Sequence, residues 1–343
     1  MKKLSSEYAN HRGKSTFKWS SYLGIYERNF EEFLNKPVAI LEIGVQNGGS
    51  LEILAKYFPS AKTIVGCDNN PDCASLSFND PRIHLVVGDA AKSHVVDQLA
   101  SISPKFDIII DDGSHRSFDI IRSFVLTYPL LAPGGLYIVE DLHASYWREY
   151  DGGLYHPHSS MTFLKRLADV LNHEHWGVPW APSEPLKGIA SRCGVSLEDE
   201  MLSSIHSVEF VNSMCLIRKR RQGPNRIGHA VIVGNVEIVT HGHKELNNTD
   251  YFMAKNLAQD HNPWTQRPSP PDELFDTLMV NISDLQKTVH AHEIEIANLK
   301  NSKKKTVHAH EIEIANLKNS KSWRVTAPLR WLSQRWRFLI DKI

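Results

Sequence analysis

The chain has 343 residues, sets 39 Lys and Arg against 39 Asp and Glu, and carries four cysteines. That length accommodates one sizeable domain with appendages, and the zero net charge excludes a global electrostatic pull towards nucleic acid. Cys67, Cys73, Cys193 and Cys215 contain no CxxC pair, which excludes a dense disulfide framework and fits buried thiols in a reducing compartment.

Residues 1–37 read as an N-terminal cap segment. Met1 to Glu7 has no apolar core of a signal peptide, and no uninterrupted apolar run approaches about 18 residues, so a cytoplasmic chain without a membrane span is expected. From 38 to 221 short apolar runs alternate with amphipathic segments. Val38 to Leu41 leads through Glu42 into a glycine-rich turn, and Ser50 to Phe58 follows as a helix with Leu51, Leu54, Ala55 and Phe58 on one face. Thr63 to Cys67 ends at Asp68, and Ile83 to Val87 ends at Gly88-Asp89. Phe106 to Ile110 ends at Asp111-Asp112-Gly113-Ser114-His115. A helix over Ser117 to Leu131, stopped by Pro133-Gly134-Gly135, precedes Leu136 to Val139 and Glu140-Asp141. Strand–helix alternation of this kind predicts right-handed crossovers and an α/β, doubly wound, mostly parallel sheet.

Beyond that sheet, His143 to Ser160 is polar, aromatic and glycine-containing, as in a loop or lid. Phe163 to Leu171 is expected to be helical, and His206 to Val211 and Met214 to Ile217 form a hairpin around Asn212-Ser213. Arg218-Lys219-Arg220-Arg221 reads as the solvated basic end of an edge strand. Residues 222–271 form an extension of unassigned role, in which Val231 to Val236 suggests another tight hairpin.

Over 272–321, Lys287 to Lys303 recurs unchanged as Lys305 to Lys321, a period of 18 residues that brings each residue back to the same helical face. Ile282, Leu285, Val289, Ile296 and Leu299 follow a 4/3 spacing that Val307, Ile314 and Leu317 resume after a stutter. A C-terminal coiled coil and a homo-oligomer are expected, with His292 and His310 in the seam and a single solvated helix as the alternative. The tail 322–343 is basic and amphipathic. From Lys318 onward Lys318, Lys321, Arg324, Arg330, Arg335, Arg337 and Lys342 oppose Asp341, and Trp331, Trp336, Phe338, Leu339 and Ile340 supply apolar mass. Such a tail suits peripheral contact with an anionic membrane, or packing on another subunit.

Carboxylates at the carboxyl ends of parallel strands project into the crevice where open α/β sheets bind ligands. Acids and a histidine meeting there would hold a hard cation beside a general base. Glycines in the turn Glu42 to Ser50 lack the third-glycine spacing of GxGxxG, which disfavours a nicotinamide enzyme. Asp68 is placed to accept ribose hydroxyls and Asp89 to bond an exocyclic amine. The plainer readings are that Asp68 caps the turn at Asn69-Asn70-Pro71, and that Asp111 and Ser114 cap the following helix.

Leu41-Glu42-Ile43-Gly44, Gly66-Cys67-Asp68, Gly88-Asp89 and Leu131-Ala132-Pro133-Gly134-Gly135 resemble the successive motifs of class I S-adenosylmethionine-dependent methyltransferases. Within that superfamily Asp111 to His115, with Glu140-Asp141-Leu142-His143, is similar to the metal-dependent sugar O-methyltransferases of the macrocin and mycinamicin type. Ser145-Tyr146-Trp147, Gly13-Lys14, Tyr22 and Ile25-Tyr26-Glu27 share that resemblance, which covers roughly residues 10–220. It implies a seven-stranded sheet and a cofactor site at Glu42, Gly44, Asp68 and Asp89. It also implies Mg²⁺ on Asp112, Glu140 and Asp141, with His115 as base and Asp111 supporting a ligand or the strand end.

The expected reaction is transfer of a methyl group from S-adenosylmethionine to a sugar hydroxyl. The coiled coil and basic tail favour a surface glycan acceptor near the inner membrane face; a glycosylated metabolite is the other acceptor. The rival of another class is a non-catalytic scaffold that recruits glycan enzymes.

Overall fold

The structure is a computed structural model that describes residues 3–223, 225–250, 258–259, 261–263, 265, 272–320 and 324, with backbone alone for 272–280. It divides into two compact units, Met1–Pro268 and Ser269–Ile343. The first unit opens with α1 (Leu4–Asn10) and α2 (Ser20–Phe30) and continues as β1 (Ala39–Ile43), α3 (Gly49–Tyr57), β2 (Thr63–Asp68) and β3 (Ile83–Val87). It proceeds through α4 (Ser93–Ile102), β4 (Phe106–Asp111), α5 (Ser117–Thr127) and β5 (Leu131–Val139). Then come α6 (Ser160–Leu171), α7 (Lys187–Cys193), α8 (Asp199–Ser203), β6 (Ile205–Val211) and β7 (Met214–Lys219).

The sheet has seven strands in the order β3-β2-β1-β4-β5-β7-β6. β1 to β5 pair in parallel, and β7 runs antiparallel between β5 and β6. Alternate residues of each central strand bury opposite faces. Leu41, Ile109, Tyr137 and Val139 pack with the side bearing α4 to α7. Ile40, Ile64, Ile108 and Ile138 pack with the side bearing α1, α2 and α3. Period-two alternation in strands apolar on both faces is what a doubly covered parallel sheet requires.

Several expectations are revised. β5 begins at Leu131 rather than Leu136: Leu131 pairs with Phe106, and the register then jumps so that Leu136 pairs with Ile108. Ala132 to Gly135 form an extended bulge, for which Gly134 supplies a φ of +81°. The helix before it accordingly stops at Thr127. The basic run does not end an edge strand, because β6 is the edge. Arg218 donates to Glu32 Oε1 (2.5 Å) and Asn29 Oδ1 (3.0 Å), and Lys219 donates to Leu131 O (2.9 Å), so the run fastens β7 to its neighbours. Val231 to Val236 form no hairpin. Val231, Val233 and Val236 are about four-fifths exposed, and a strand pair with no face to bury is not stable alone.

In the second unit α9 (Asp272–Asn319) is one continuous helix of 48 residues. Ile282, Leu285, Val289, Ile296, Leu299, Val307, Ile314 and Leu317 are all exposed along it. The basic tail lies outside the described residues, apart from Ser320 before it and Arg324 within it. No described helix is long and apolar enough to cross a membrane.

Candidate active site

The carboxyl ends of β1, β2, β3 and β4 open on one rim of the sheet, and between them lies a cleft of about 230 Å³. Gly44, Asp68, Asp89, Asp112 and Ser114 line it. Gly44 has a φ of +91°, and a Cβ there would stand 2.0 Å from the Asp112 carbonyl oxygen, so only glycine lets β1 and β4 end so close together. Asp68 organises the turn: Oδ2 accepts the backbone N–H groups of Val45 (2.7 Å) and Gln46 (2.9 Å), and Oδ1 accepts that of Asn70 (2.9 Å). The capping role and the ligand-facing position thus coexist in one carboxylate. Asp89 accepts the Ala91 N–H at 2.8 Å.

Glu42 is not in the cleft wall. It is 1 % exposed and lies behind the turn, accepting Ser50 Oγ at 2.5 Å with Lys18 Nζ 3.8 Å away. Burial pushes its carboxyl up to about 7, against the pull of Lys18 and the Ser50 bond. Asp111 also turns inward. Ser123 Oγ donates to its Oδ2, with Tyr137 Oη at 3.4 Å, and burial raises it to about 6. It supports the strand end from below rather than capping α5; Ser114 Oγ is the group that accepts the Arg116 N–H (3.2 Å).

Asp112, His115 and Asp141 converge, with one ligand atom from each within 4.8 Å of the others. Two of them sit in the left-handed region, His115 at φ +58° and Asp141 at φ +53°. Non-glycine residues pay about 1–2 kcal/mol for that conformation, which aims their side chains across the rim. Asp141 Oδ1 accepts Tyr22 Oη (2.7 Å) and Trp19 Nε1 (3.0 Å), and Oδ2 lies 3.7 Å from His115 Nε2. Burial lowers the His115 pKa, with Asp141 pulling the other way, and the lowering favours the neutral imidazole that can take a proton.

Glu140 does not join that trio. The turn at Asp141 sends the two neighbouring acids apart, and Glu140, 1 % exposed, points inward to Lys18 Nζ (2.6 Å) and Tyr26 Oη. Lys18 also donates to Asp112 Oδ2. Burial opposes the ammonium charge, but Glu140, Asp112 and Glu42 outweigh it and hold the Lys18 pKa well above its usual value. One ammonium cannot neutralise three carboxylates. Burial therefore leaves Glu140 raised to about 7 and Asp112 to about 6 despite the Lys18 contact.

Lys18 and Trp19 carry no motif and were not singled out from the sequence. The readable signal was Tyr22 and Tyr26, four residues apart on the buried face of α2 and both reaching the acids. The segment before α2 is fastened to α3 through Glu52, which accepts the Lys14 backbone N–H (2.9 Å) and Nζ (2.8 Å). Phe17, Trp19, His143 and Trp147 form an aromatic rim next to Asp141. Phe17 and Trp19 lie 5.1 Å apart, Trp19 and His143 6.1 Å, and His143 and Trp147 5.1 Å.

The strand order and the rim cleft are those of the class I methyltransferase fold, and residues 41–142, from β1 to just past Asp141, match the Methyltransferase domain family. The similarity then narrows to sugar O-methyltransferases. The chain is 37% identical over 186 residues to the 8-demethyl-8-alpha-L-rhamnosyl tetracenomycin-C 2'-O-methyltransferase of Streptomyces olivaceus, covering 50% of this chain and 48% of that one. It is 34% identical over 199 residues to the mycinamicin VI 2''-O-methyltransferase of Micromonospora griseorubida, covering 54% and 46%. Among solved structures, the MycE methyltransferase of the mycinamycin pathway, in complex with Mg and SAH, aligns at a TM-score of 0.51 with 28% identity, covering 64% of this chain and 54% of that one. The chain spans about half the length of the curated relatives it matches.

Proposed function

We propose that the chain transfers a methyl group from S-adenosylmethionine to a sugar hydroxyl with the help of Mg²⁺. The observation that carries this reading is the convergence of Asp112, His115 and Asp141 on the rim, beside the cleft that holds Gly44, Asp68 and Asp89. Gly44, Asp68 and Asp89 are assigned to the cofactor, and Glu42 supports its turn from behind through Ser50. Two carboxylates on a partly open rim are suitable donors for a hard divalent cation that keeps some of its water. Such a cation, when bound, orients a hydroxyl and lowers its pKa.

The chain's own groups do the rest. His115 takes the hydroxyl proton on Nε2, and Asp141 stabilises the imidazolium from 3.7 Å. Tyr22 and Trp19 fix Asp141 by donating to Oδ1. The aromatic rim suits the apolar face of a sugar ring. Relatives named for rhamnosyl and macrolide acceptors support a sugar carried on a larger molecule. A surface-glycan acceptor rests on the duplicated helix and the basic tail alone. A scaffold is disfavoured, because a buried cluster of charges costs stability that recruitment does not require.

Calorimetric titration with S-adenosylmethionine in Mg²⁺, with NAD as control ligand, tests the reading. Binding of the first alone, abolished in Asp68→Ala, is expected. A folded protein freed of co-purified ligand that binds neither would return the assignment to the scaffold.

A further inference from the structure

We propose that α9 is an interface for a second copy of this chain, with which it forms a parallel, two-stranded coiled coil in register. The kinds of residue along the apolar stripe select the strand number, and the charges beside the stripe select the direction.

The seam alternates two sorts of side chain. Ile282, Val289, Ile296, Val307 and Ile314, all β-branched, occupy its first positions; Leu285, Leu299 and Leu317 occupy its second positions, shared with His292 and His310. β-Branched residues at the first position of a heptad, with leucine at the second, favour two parallel strands. The second layer aims each Cα–Cβ bond at the facing helix, which suits an unbranched Cβ. In one chain the apolar seam residues are from 47 % to 65 % exposed, so pairing removes a continuous stripe from water.

Glu295 and Glu313 stand one residue before the seam positions Ile296 and Ile314. Lys300 and Lys318 stand one residue after Leu299 and Leu317. The resulting offset of five, from Glu295 to Lys300 and from Glu313 to Lys318, is that at which flanking side chains of two parallel helices meet across the seam. In register, Glu295 faces the partner's Lys300 and Glu313 faces the partner's Lys318, and two-fold symmetry doubles each pair. An antiparallel pair with its stripes overlapped end to end, Ile282 against the partner's Leu317, would instead set Lys300 beside the partner's Lys300.

The histidines fix the register. A slip of one heptad would set His292 against the partner's Leu299 and His310 against the partner's Leu317, burying each imidazole with no polar group opposite. A slip of 18 residues would match one repeat to the other but pair only one repeat of each chain. Lys303 falls on the seam at the stutter, where its stem packs and its ammonium reaches water. Parallel order has a structural consequence: the two chains leave the coiled coil at the same end.

Disulfide capture in the full chain, read on non-reducing gels, tests direction and register together. Leu285→Cys and Leu317→Cys, each alone under mild oxidation, should convert more than about half of the chain to covalent dimer. The four native cysteines are buried, so the unaltered protein should remain uncaptured. Capture only in a mixture of Leu285→Cys with Ile314→Cys would mean an antiparallel pair, and capture only in a mixture of Leu299→Cys with Leu317→Cys an offset of 18. Either result would overturn the proposal. In sedimentation, Glu295→Lys/Glu313→Lys should raise the dimer dissociation constant at least about tenfold. Adding Lys300→Glu/Lys318→Glu to the same chain should restore it to within about threefold. Charge reversal without effect, or without recovery, would remove the flanking pairs as the source of direction, and a monomeric or three-stranded parent would defeat the pairing itself.

Discussion

At the scale of single residues, the site consists of neighbours in sequence given opposite tasks. Asp111 and Asp112 diverge where β4 ends: Asp111, its last residue, turns inward to Ser123 and Tyr137, while Asp112, just past the strand, reaches the rim. Glu140 and Asp141 diverge because Asp141 leaves the strand in the left-handed conformation. His115 owes its orientation to the same device, and its proposed role is the sharpest to test. His115→Ala should lower kcat for sugar methylation by roughly 10²- to 10⁴-fold, with S-adenosylmethionine affinity changed little. Paired turnover and calorimetric measurements check this, and an unimpaired kcat would remove His115 as base. The acids and His115 were legible because polar residues ending apolar runs mark the ligand rim of a parallel sheet. Lys18 was not, because its bonds to Asp112 and Glu140 span 94 and 122 residues and no local pattern encodes them.

At the scale of elements, legibility followed periodicity. The central strands and α3 announced themselves by apolar runs and a one-sided face, and the β6–β7 hairpin by a two-residue turn in which Ser213 takes φ +68°. That turn is tied to the site, since Ser213 O accepts the Leu142 N–H (2.9 Å) and Ser213 Oγ meets His143 Nδ1 (2.5 Å). The start of β5 was hidden because Pro133-Gly134-Gly135 reads as a break, whereas the chain resumes its pairing across it. In α9 the duplication returns Leu299 at Leu317 and His292 at His310, so an apolar stripe runs along a helix about 70 Å long. A helix of that length with an exposed stripe is stabilised by burying it against a like stripe. We expect the full chain to be oligomeric at micromolar concentration, and Leu299→Lys/Leu317→Lys to be monomeric with unchanged cofactor binding. Sedimentation velocity decides, and a monomeric parent would leave α9 a solvated single helix.

At the scale of the whole molecule, alternating strands and helices dictate a doubly wound sheet through the right-handedness of the crossovers, and the antiparallel β7 then seals the β5 side. Among the described residues, both core clusters draw their buried residues from between Leu4 and Ile217, so the described hydrophobic core of the first unit is complete at β7. The segment 225–250 adds exposed chain with one short helical turn at His243–Leu246. Stability and assembly should therefore separate. A chain ending at residue 268 should unfold within about 2 °C of the full chain, equivalent to no more than about 1 kcal/mol, while losing oligomerisation. Calorimetric melting at two protein concentrations checks both halves of the expectation, because an oligomer-linked transition moves with concentration and a self-contained one does not. A fall of 10 °C or more on truncation would mean that the duplicated helix supports the domain's own fold, and the two core clusters would then be insufficient to account for its stability.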